Sequence, residues 1–243
     1  MTTVSVEFIA KDAVRGAERG DLVVVVDVLR CSSSIVTALA NGATDVTAVK
    51  SVSEARALKR KNPSHVLAGE RGGLPPNGFE LGNSPRDFSA KNVQVRSVVI
   101  TTSSGTQAIN NASGARVVLI GSFLNMSAVA EKALRMAAER GIGLTVAMSG
   151  KLGAFSLEDF LCAGGIVSRW DGEGLEFSDS AYASLLGYRA TSDNILSHVL
   201  RGTHAQELVE LGLGEDVSLC CEVDRYAVVP VLRDGKIVLS ESG

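Results

Sequence analysis

The residues best equipped for chemistry sit where apolar runs end. In "VVVVDVLRCSSS" (23–34) four valines give way to Asp27, Arg30 and three serines. A carboxylate at the tip of a strand suits a hard cation such as Mg²⁺. That ion takes one or two carboxylates and leaves its other positions to water and substrate oxygens. A guanidinium suits planar or tetrahedral oxyanions. Small hydroxyl residues opening a helix offer N–H and O–H groups to a phosphate or sulfonate. Ser and Thr are equally the ordinary N-caps of helices.

The same pattern recurs along the chain. "GERGG" (69–73) brings Glu70, Arg71 and Gly72, and "TTSSGT" (101–106) brings Thr101, Thr102, Ser103, Ser104, Gly105 and Thr106. "GSFLN" (121–125) brings Ser122, and "SGKLGAFSLED" (149–159) brings Glu158 and Asp159. Asp27, Arg30 and Glu70 are the expected catalytic residues. Arg30, Ser32, Ser33, Arg71, Gly72, Thr102, Ser103, Ser104, Gly105, Thr106 and Ser122 are the expected substrate contacts. Asp27, Glu158 and Asp159 are the expected metal ligands, although the last two equally suit the first turn of a helix. Neither G-x-x-x-x-G-K-[ST] nor G-x-G-x-x-G occurs, so nucleotide binding has no support. His65, His198 and His204 lack metal-ligand spacing and read as surface or satisfied core histidines. Cys31 reads as a thiolate candidate at a helix start, or as a small buried hydrophobe.

The elements that must position these groups follow from periodicity. Short β-branched runs predict strands at 4–9, 22–27, 45–49, 65–68, 97–101, 116–120 and 143–148, with helical stretches between them. One such stretch, "NMSAVAEKALRMAAERG", ends at Gly141, a C-cap signal. Alternation of strand and helix predicts an α/β fold with a mainly parallel sheet and helices on both faces. The last third is more helical. It closes on "YAVVPVLRDGKIVL", two strand-like runs around an Asp-Gly turn that predict a hairpin. Ligands bind at the carboxyl ends of parallel strands, so the five polar exits are expected to meet on one edge. The segment 69–89 carries five glycines and three of the five prolines, and a loop that long is usually functional. No sequence repeat is evident.

Composition excludes other classes. The 243 residues are 45% hydrophobic, enough for a sizeable core, and the net charge of −3 comes without a basic stripe. Aromatic residues are 5%, too few for a base-stacking platform. No apolar run approaches the ~20 residues of a membrane span, and no signal peptide is recognisable. The four cysteines show no C-x-x-C spacing and read as reduced thiols, which points to the cytoplasm. The expected partner is a small anionic substrate, with neither nucleic acid nor membrane. Homodimer formation is left open.

Taken together, "VVVDVLRCSSSIVTALANGA", "AGERGG", "GFELGNSP", "TTSSGTQAI", "GSFLN" and "GAFSLEDFLCAGGIV" resemble, in order and spacing, the ComB family of 2-phosphosulfolactate phosphatases. The resemblance covers roughly residues 4 to 232. It implies one α/β domain over 1–243, or two closely packed lobes. It also implies Mg²⁺-dependent hydrolysis of (2R)-2-phospho-3-sulfolactate to 3-sulfolactate and phosphate, a step of coenzyme M biosynthesis. Position 31 is usually alanine in the family pattern, which argues against a shared cysteine nucleophile. Glu80 stands where aspartate is commoner.

Three mechanisms compete at this level. In the first, Asp27 holds Mg²⁺ for a metal-assisted phosphomonoesterase, or itself attacks phosphorus. The D-x-D partner of aspartyl-phosphate enzymes is absent, since Leu29 stands two residues on, which favours the metal role. In the second, the same loops bind anionic metabolites without turnover. In the third, Cys31 is the nucleophile of a hydrolase.

Overall fold

The computed structural model describes residues 2–240. The strands are β1 Thr3–Glu7, β2 Leu22–Val26, β3 Asp45–Ala48, β4 Val66–Gly69, β5 Ser97–Thr101, β6 Val117–Gly121, β7 Leu144–Met148, β8 Glu176–Phe177, β9 Pro230–Arg233 and β10 Lys236–Leu239. The helices are α1 Val14–Arg19, α2 Cys31–Ala40, α3 Val52–Lys61, α4 Ala90–Val93, α5 Gly105–Ala112, α6 Met126–Arg140, α7 Leu157–Ser168, α8 Asp179–Arg189, α9 Ile195–Val199, α10 Thr203–Glu210 and α11 Gly214–Cys220. All seven predicted strands and the hairpin form. Only the two-residue β8 is unforeseen, being too short to carry a periodicity.

The strands make one sheet in the order β4-β5-β3-β10-β9-β6-β2-β7-β1-β8. Pairing is parallel within β4-β5-β3 and within β6-β2-β7-β1-β8. The C-terminal hairpin joins the two blocks through antiparallel contacts with β3 on one side and β6 on the other. Three successive antiparallel pairings make the blocks run in opposite directions.

That inversion has a simple architectural source. The unit β2-α2-β3-α3-β4 and the unit β5-α5-β6-α6-β7 have the same element order, and each places its first strand between the other two strands of its counterpart. Exchanging β2 with β5, β3 with β6, β4 with β7 and β9 with β10 maps the eight central strands onto themselves. The sheet thus has an internal pseudo-two-fold axis through the hairpin, although the sequence shows no repeat.

Burial follows the same plan. All five residues of β2 and all five of β7 are buried, as strands covered on both faces must be. One core cluster packs Val23, Val25, Ile35, Ile100, Ile109 and Ile120 together, so α2 and α5 share one face of the sheet. The other face carries α6 and α7 around Leu119, Met126, Ile166 and Trp170. Five inter-strand steps separate β2 from β5. At ~20–25° per step the twist accumulates to roughly 100–125°. The ends of two opposed strands can therefore converge, and the first residues of α2 and α5 meet beside Asp27.

Among the described residues no helix is long and apolar enough to cross a membrane. The four cysteines are all buried and unpaired.

Candidate active site

At the exit of β2 the chain turns into α2 with its polar groups tied to its own backbone. The Ser32 hydroxyl donates to the Asp27 carbonyl at 2.7 Å and accepts from the Asp27 N–H at 3.0 Å. The hydroxyl of Ser33 donates to the Val28 carbonyl, and that of Ser34 to the Asn83 carbonyl, both at 2.8 Å. The three serines therefore satisfy strand-exit and loop carbonyls. Ser32 and Ser33, expected as substrate contacts, are buried and do not line the cavity described below.

The Asp27 side chain faces the other way. Its Oδ1 accepts from the Cys31 N–H at 3.0 Å, in the first turn of α2. Its Oδ2 lies against Gly105, the first residue of α5. Asp27 is thus held between two helix N-termini, whose partial positive charge favours an anion. Burial nonetheless pushes its pKa up to about 6, against the Cys31 N–H bond and the charge of His204, with Glu70 adding to the rise. Among the described residues Asp27 forms no ion pair.

The exit of β5 is built on the same plan. Thr102 Oγ1 accepts from the Thr106 N–H at 3.1 Å, and the Thr106 hydroxyl accepts from the Thr102 N–H at 3.2 Å. Thr102 is to α5 what Asp27 is to α2, and it occupies the pseudo-symmetric position without the carboxylate. The neighbouring strands repeat the correspondence. After β4, Arg71 and Leu74 close a tight turn through Gly72 and Gly73, at φ 61° and 85°. After β7, Lys151 and Ala154 close another through Leu152 and Gly153, at φ 49° and 83°. Positive φ at both central residues is the type I′ geometry that glycine favours.

Each half also has one carboxylate clamp. Glu70 accepts from the Ser103 N–H at 2.7 Å and the Gly73 N–H at 3.0 Å. Asp159 accepts from the Val28 N–H at 2.8 Å and the Gly150 N–H at 3.0 Å, with the Ser149 hydroxyl at 3.2 Å. Val28 and Ser103 are symmetry-equivalent, so the two acids do the same work. Each pins a strand exit to a tight turn. Burial pushes the Asp159 pKa up, and the charges of Asp27 and Glu158 push the same way.

These exits enclose a cavity of about 310 Å³. Of the residues expected from sequence, Asp27, Arg30, Glu70, Gly72, Thr102, Ser103 and Ser104 line it. Arg30 does so while buried. Its Nη1 donates to Asp216 Oδ2 at 2.5 Å and its Nη2 to the Gly73 carbonyl at 2.7 Å. Asp216 in turn accepts from the Ser84 hydroxyl at 2.6 Å. Arg30 therefore braces the 69–89 loop and charges the wall, rather than offering a free fork.

Several expected residues lie elsewhere. Arg71 is exposed and folds back on its own strand exits, donating to the Glu70 carbonyl at 2.5 Å and to Thr101 Oγ1 at 2.9 Å. Gly105 and Thr106 sit behind the cavity wall. Gly105 is where Asp27 and Cys31 leave no room for a side chain, and Thr106 closes the Thr102 turn. Ser122 is fully buried and caps the next turn with Asn125, which accepts its N–H at 2.9 Å. Four of the five strand exits therefore meet, and the β6 exit is spent on a helix start. Glu158 and Asp159 do not line the cavity. Asp159 is a clamp, and Glu158 Oε1 pairs with His204 Nδ1 at 2.7 Å. Among the described residues no three His, Cys, Asp or Glu side chains are grouped to hold a metal ion. The cavity's own hard donors include Asp27, Glu70, the hydroxyls of the β5 exit and Glu207, the last ion-paired with Lys151.

Sequence reasoning missed His204, Lys151 and Asn83, all of which line the cavity. Lys151 is ion-paired with Glu207 of α10. Its place after β7, matching Arg71 after β4, was the available signal. Nothing local marks His204, whose partner is 46 positions away.

Comparison with known proteins adds an independent finding. The family model described as 2-phosphosulpholactate phosphatase matches residues 8–235. A Thermotoga petrophila protein is 38% identical over 222 residues, covering 90% of this chain and 92% of its own length. A Thermotoga maritima protein is 39% identical over 221 residues with the same coverage. A Carboxydothermus hydrogenoformans protein is 37% identical over 224 residues, covering 90% of each. All three bear the name "Probable 2-phosphosulfolactate phosphatase".

Proposed function

The chain belongs to the 2-phosphosulfolactate phosphatase family, and from that premise we propose that it hydrolyses 2-phospho-3-sulfolactate to 3-sulfolactate and phosphate with the help of Mg²⁺. The observation that carries the reading is Asp27. It is a buried carboxylate between two helix N-termini, on a cavity wall, without a cationic partner among the described residues. Such a group suits a metal ion.

The charges of the wall support the same conclusion. Asp27, Glu70 and Glu207 oppose only Arg30 and Lys151, with His204 beside them. A substrate carrying phosphate, sulfonate and carboxylate would meet net repulsion unless a cation came with it. The residues present fit Mg²⁺, which needs few protein ligands and keeps waters and phosphate oxygens in its shell. Asp27 is the residue that would hold it, with Glu70 nearby. When bound, the ion supplies Lewis-acid stabilisation of charge on the phosphoryl oxygens. Glu158 and Asp159, which do not line the cavity, take no part in that shell.

The remaining work falls to the chain itself. The N-termini of α2 and α5 present positive potential to the phosphoryl group. Ser103 and Ser104 offer hydroxyls at the wall, and Glu70 fixes the Ser103 backbone by accepting its N–H. Arg30 and Lys151 attract the remaining anionic groups of the substrate. The opposed clamps Glu70 and Asp159 keep the two strand exits in register, which is the positioning a loose phosphoryl transition state requires. A reaction of this type belongs to sulfonate metabolism of the coenzyme M kind. Four reduced thiols accord with a cytoplasmic setting.

The test is phosphate release by the purified protein from 2-phospho-3-sulfolactate, in Mg²⁺ and in EDTA. Turnover in Mg²⁺ and its loss in EDTA are expected. Tight binding without turnover in either condition would make the protein a metabolite binder instead.

A further inference from the structure

The pair His204–Glu158 has no part in the chemistry described so far. His204 is the second residue of α10 and lines the cavity. Its Nδ1 lies 2.7 Å from Glu158 Oε1, and the Glu158 side chain is 2% exposed. The other carboxylate oxygen, Oε2, is buried. It lies 3.8 Å from where a Cβ on Gly202 would stand and has no hydrogen-bond partner. A buried carboxylate that accepts Nδ1–H fixes the tautomer and the ring, and leaves Nε2 for the cavity. Asp27 and His204 line the same cavity, which brings the imidazole to the proposed site of phosphoryl transfer.

We propose that His204 is the general acid that protonates the leaving oxygen, with Glu158 as its positioning residue; this rests on the phosphatase reading above. The chemistry selects the acid role over the base role. In a loose phosphoryl transition state the attacking water is weakly bonded and needs little help, while negative charge builds on the departing oxygen. That oxygen becomes a secondary alkoxide, a poor leaving group. With Nδ1–H held by Glu158, the acid is the imidazolium form. As the ester P–O bond breaks and water adds to phosphorus, its Nε2 proton passes to the leaving oxygen, which becomes the 2-hydroxyl of the product. The neutral imidazole then takes up the proton released by the attacking water. No other histidine lines the cavity, and Lys151 is already paired with Glu207.

The experiment compares wild type, His204→Gln and Glu158→Gln on two esters in Mg²⁺, with thermal melting as a control for folding. The first ester is 2-phospho-3-sulfolactate, whose leaving group must be protonated. The second is p-nitrophenyl phosphate, whose phenolate leaves without a proton. His204→Gln is expected to lower kcat on the first by roughly 100- to 1000-fold, within the usual range for general acids, and on the second by less than about 5-fold. Glu158→Gln should show the same selectivity with a smaller loss. An independent readout on the alkyl ester alone is the solvent deuterium isotope effect on kcat, expected in wild type and abolished in His204→Gln. Equal losses on both esters, or an isotope effect that survives the substitution, overturn the role while leaving the phosphatase reading intact. A wild type that releases phosphate from neither ester overturns the reading itself, and the role with it.

Discussion

A Cβ atom on Gly105 would lie 2.3 Å from Asp27 Oδ2 and 2.5 Å from the Cβ of Cys31. The first residue of α5 is thus pressed against both the carboxylate and the first residue of α2. Glycine is required there by space alone, because two helix starts converge on one carboxylate. Replacement by alanine must displace Asp27, separate the helices, or both. Gly105→Ala is expected to cost about 1–3 kcal/mol of stability, the usual range for overpacking, and to lower kcat at least tenfold. Chemical denaturation and steady-state phosphate release check the two effects. A variant with unchanged stability and turnover would show that the two helix starts are not in contact in solution.

The raised pKa of Asp27 gives a signed expectation for stability without metal. The unfolded carboxyl titrates near 3.8 and the folded one at about 6, so the folded state holds the proton longer. Folding is therefore penalised as pH rises through this window, and the penalty is complete above pH 6. A two-unit rise corresponds to about 3 kcal/mol. Asp27→Asn keeps an oxygen for the Cys31 N–H and removes the penalty. In EDTA its Tm should match wild type near pH 4 and exceed it increasingly up to about pH 6.5. A pH-independent difference would mean that Asp27 is not buried uncompensated.

Cys31 is fully buried, and burial together with the charge of Asp27 pushes its thiol well above the usual range. A thiolate nucleophile needs the opposite environment. Incubation of the native protein with iodoacetamide at pH 8 should leave phosphate release unchanged, and Cys31→Ala should remain active. Stoichiometric inactivation by the alkylating agent would reinstate the cysteine mechanism.

How far the sequence disclosed this architecture depended on distance along the chain. The strands were legible because apolar β-branched runs such as 22–26 and 97–101 must be buried whichever neighbours they have. The order of the strands was not, because β2-α2-β3 and β5-α5-β6 each cross to the other block, and adjacency in sequence carries no sign of that exchange. Asp27, Glu70 and the β5 exit were correctly brought to one place because strand tips are where side chains escape the sheet. The hydroxyls of Ser32 and Ser33 were given to a ligand, whereas they answer carbonyls five residues back. A hydroxyl in the first turn of a helix serves either purpose, and only the direction of the strand end decides. Arg71 and Arg30 looked equivalent in sequence. Folding exposes one and buries the other against Asp216, 186 residues away.

The central claim is that the Asp27 carboxylate, held between α2 and α5, carries phosphate-ester hydrolysis by holding Mg²⁺. The direct measurement is phosphate release from 2-phospho-3-sulfolactate by wild type and Asp27→Asn across a Mg²⁺ titration, with circular dichroism to confirm the fold. Removing the carboxylate while keeping an oxygen should lower kcat by at least about 100-fold at ordinary Mg²⁺, the loss of one electrostatic stabiliser at a reacting centre, with partial recovery at high Mg²⁺. Near wild-type turnover by folded Asp27→Asn at ordinary Mg²⁺ would contradict the account and reduce Asp27 to a helix cap.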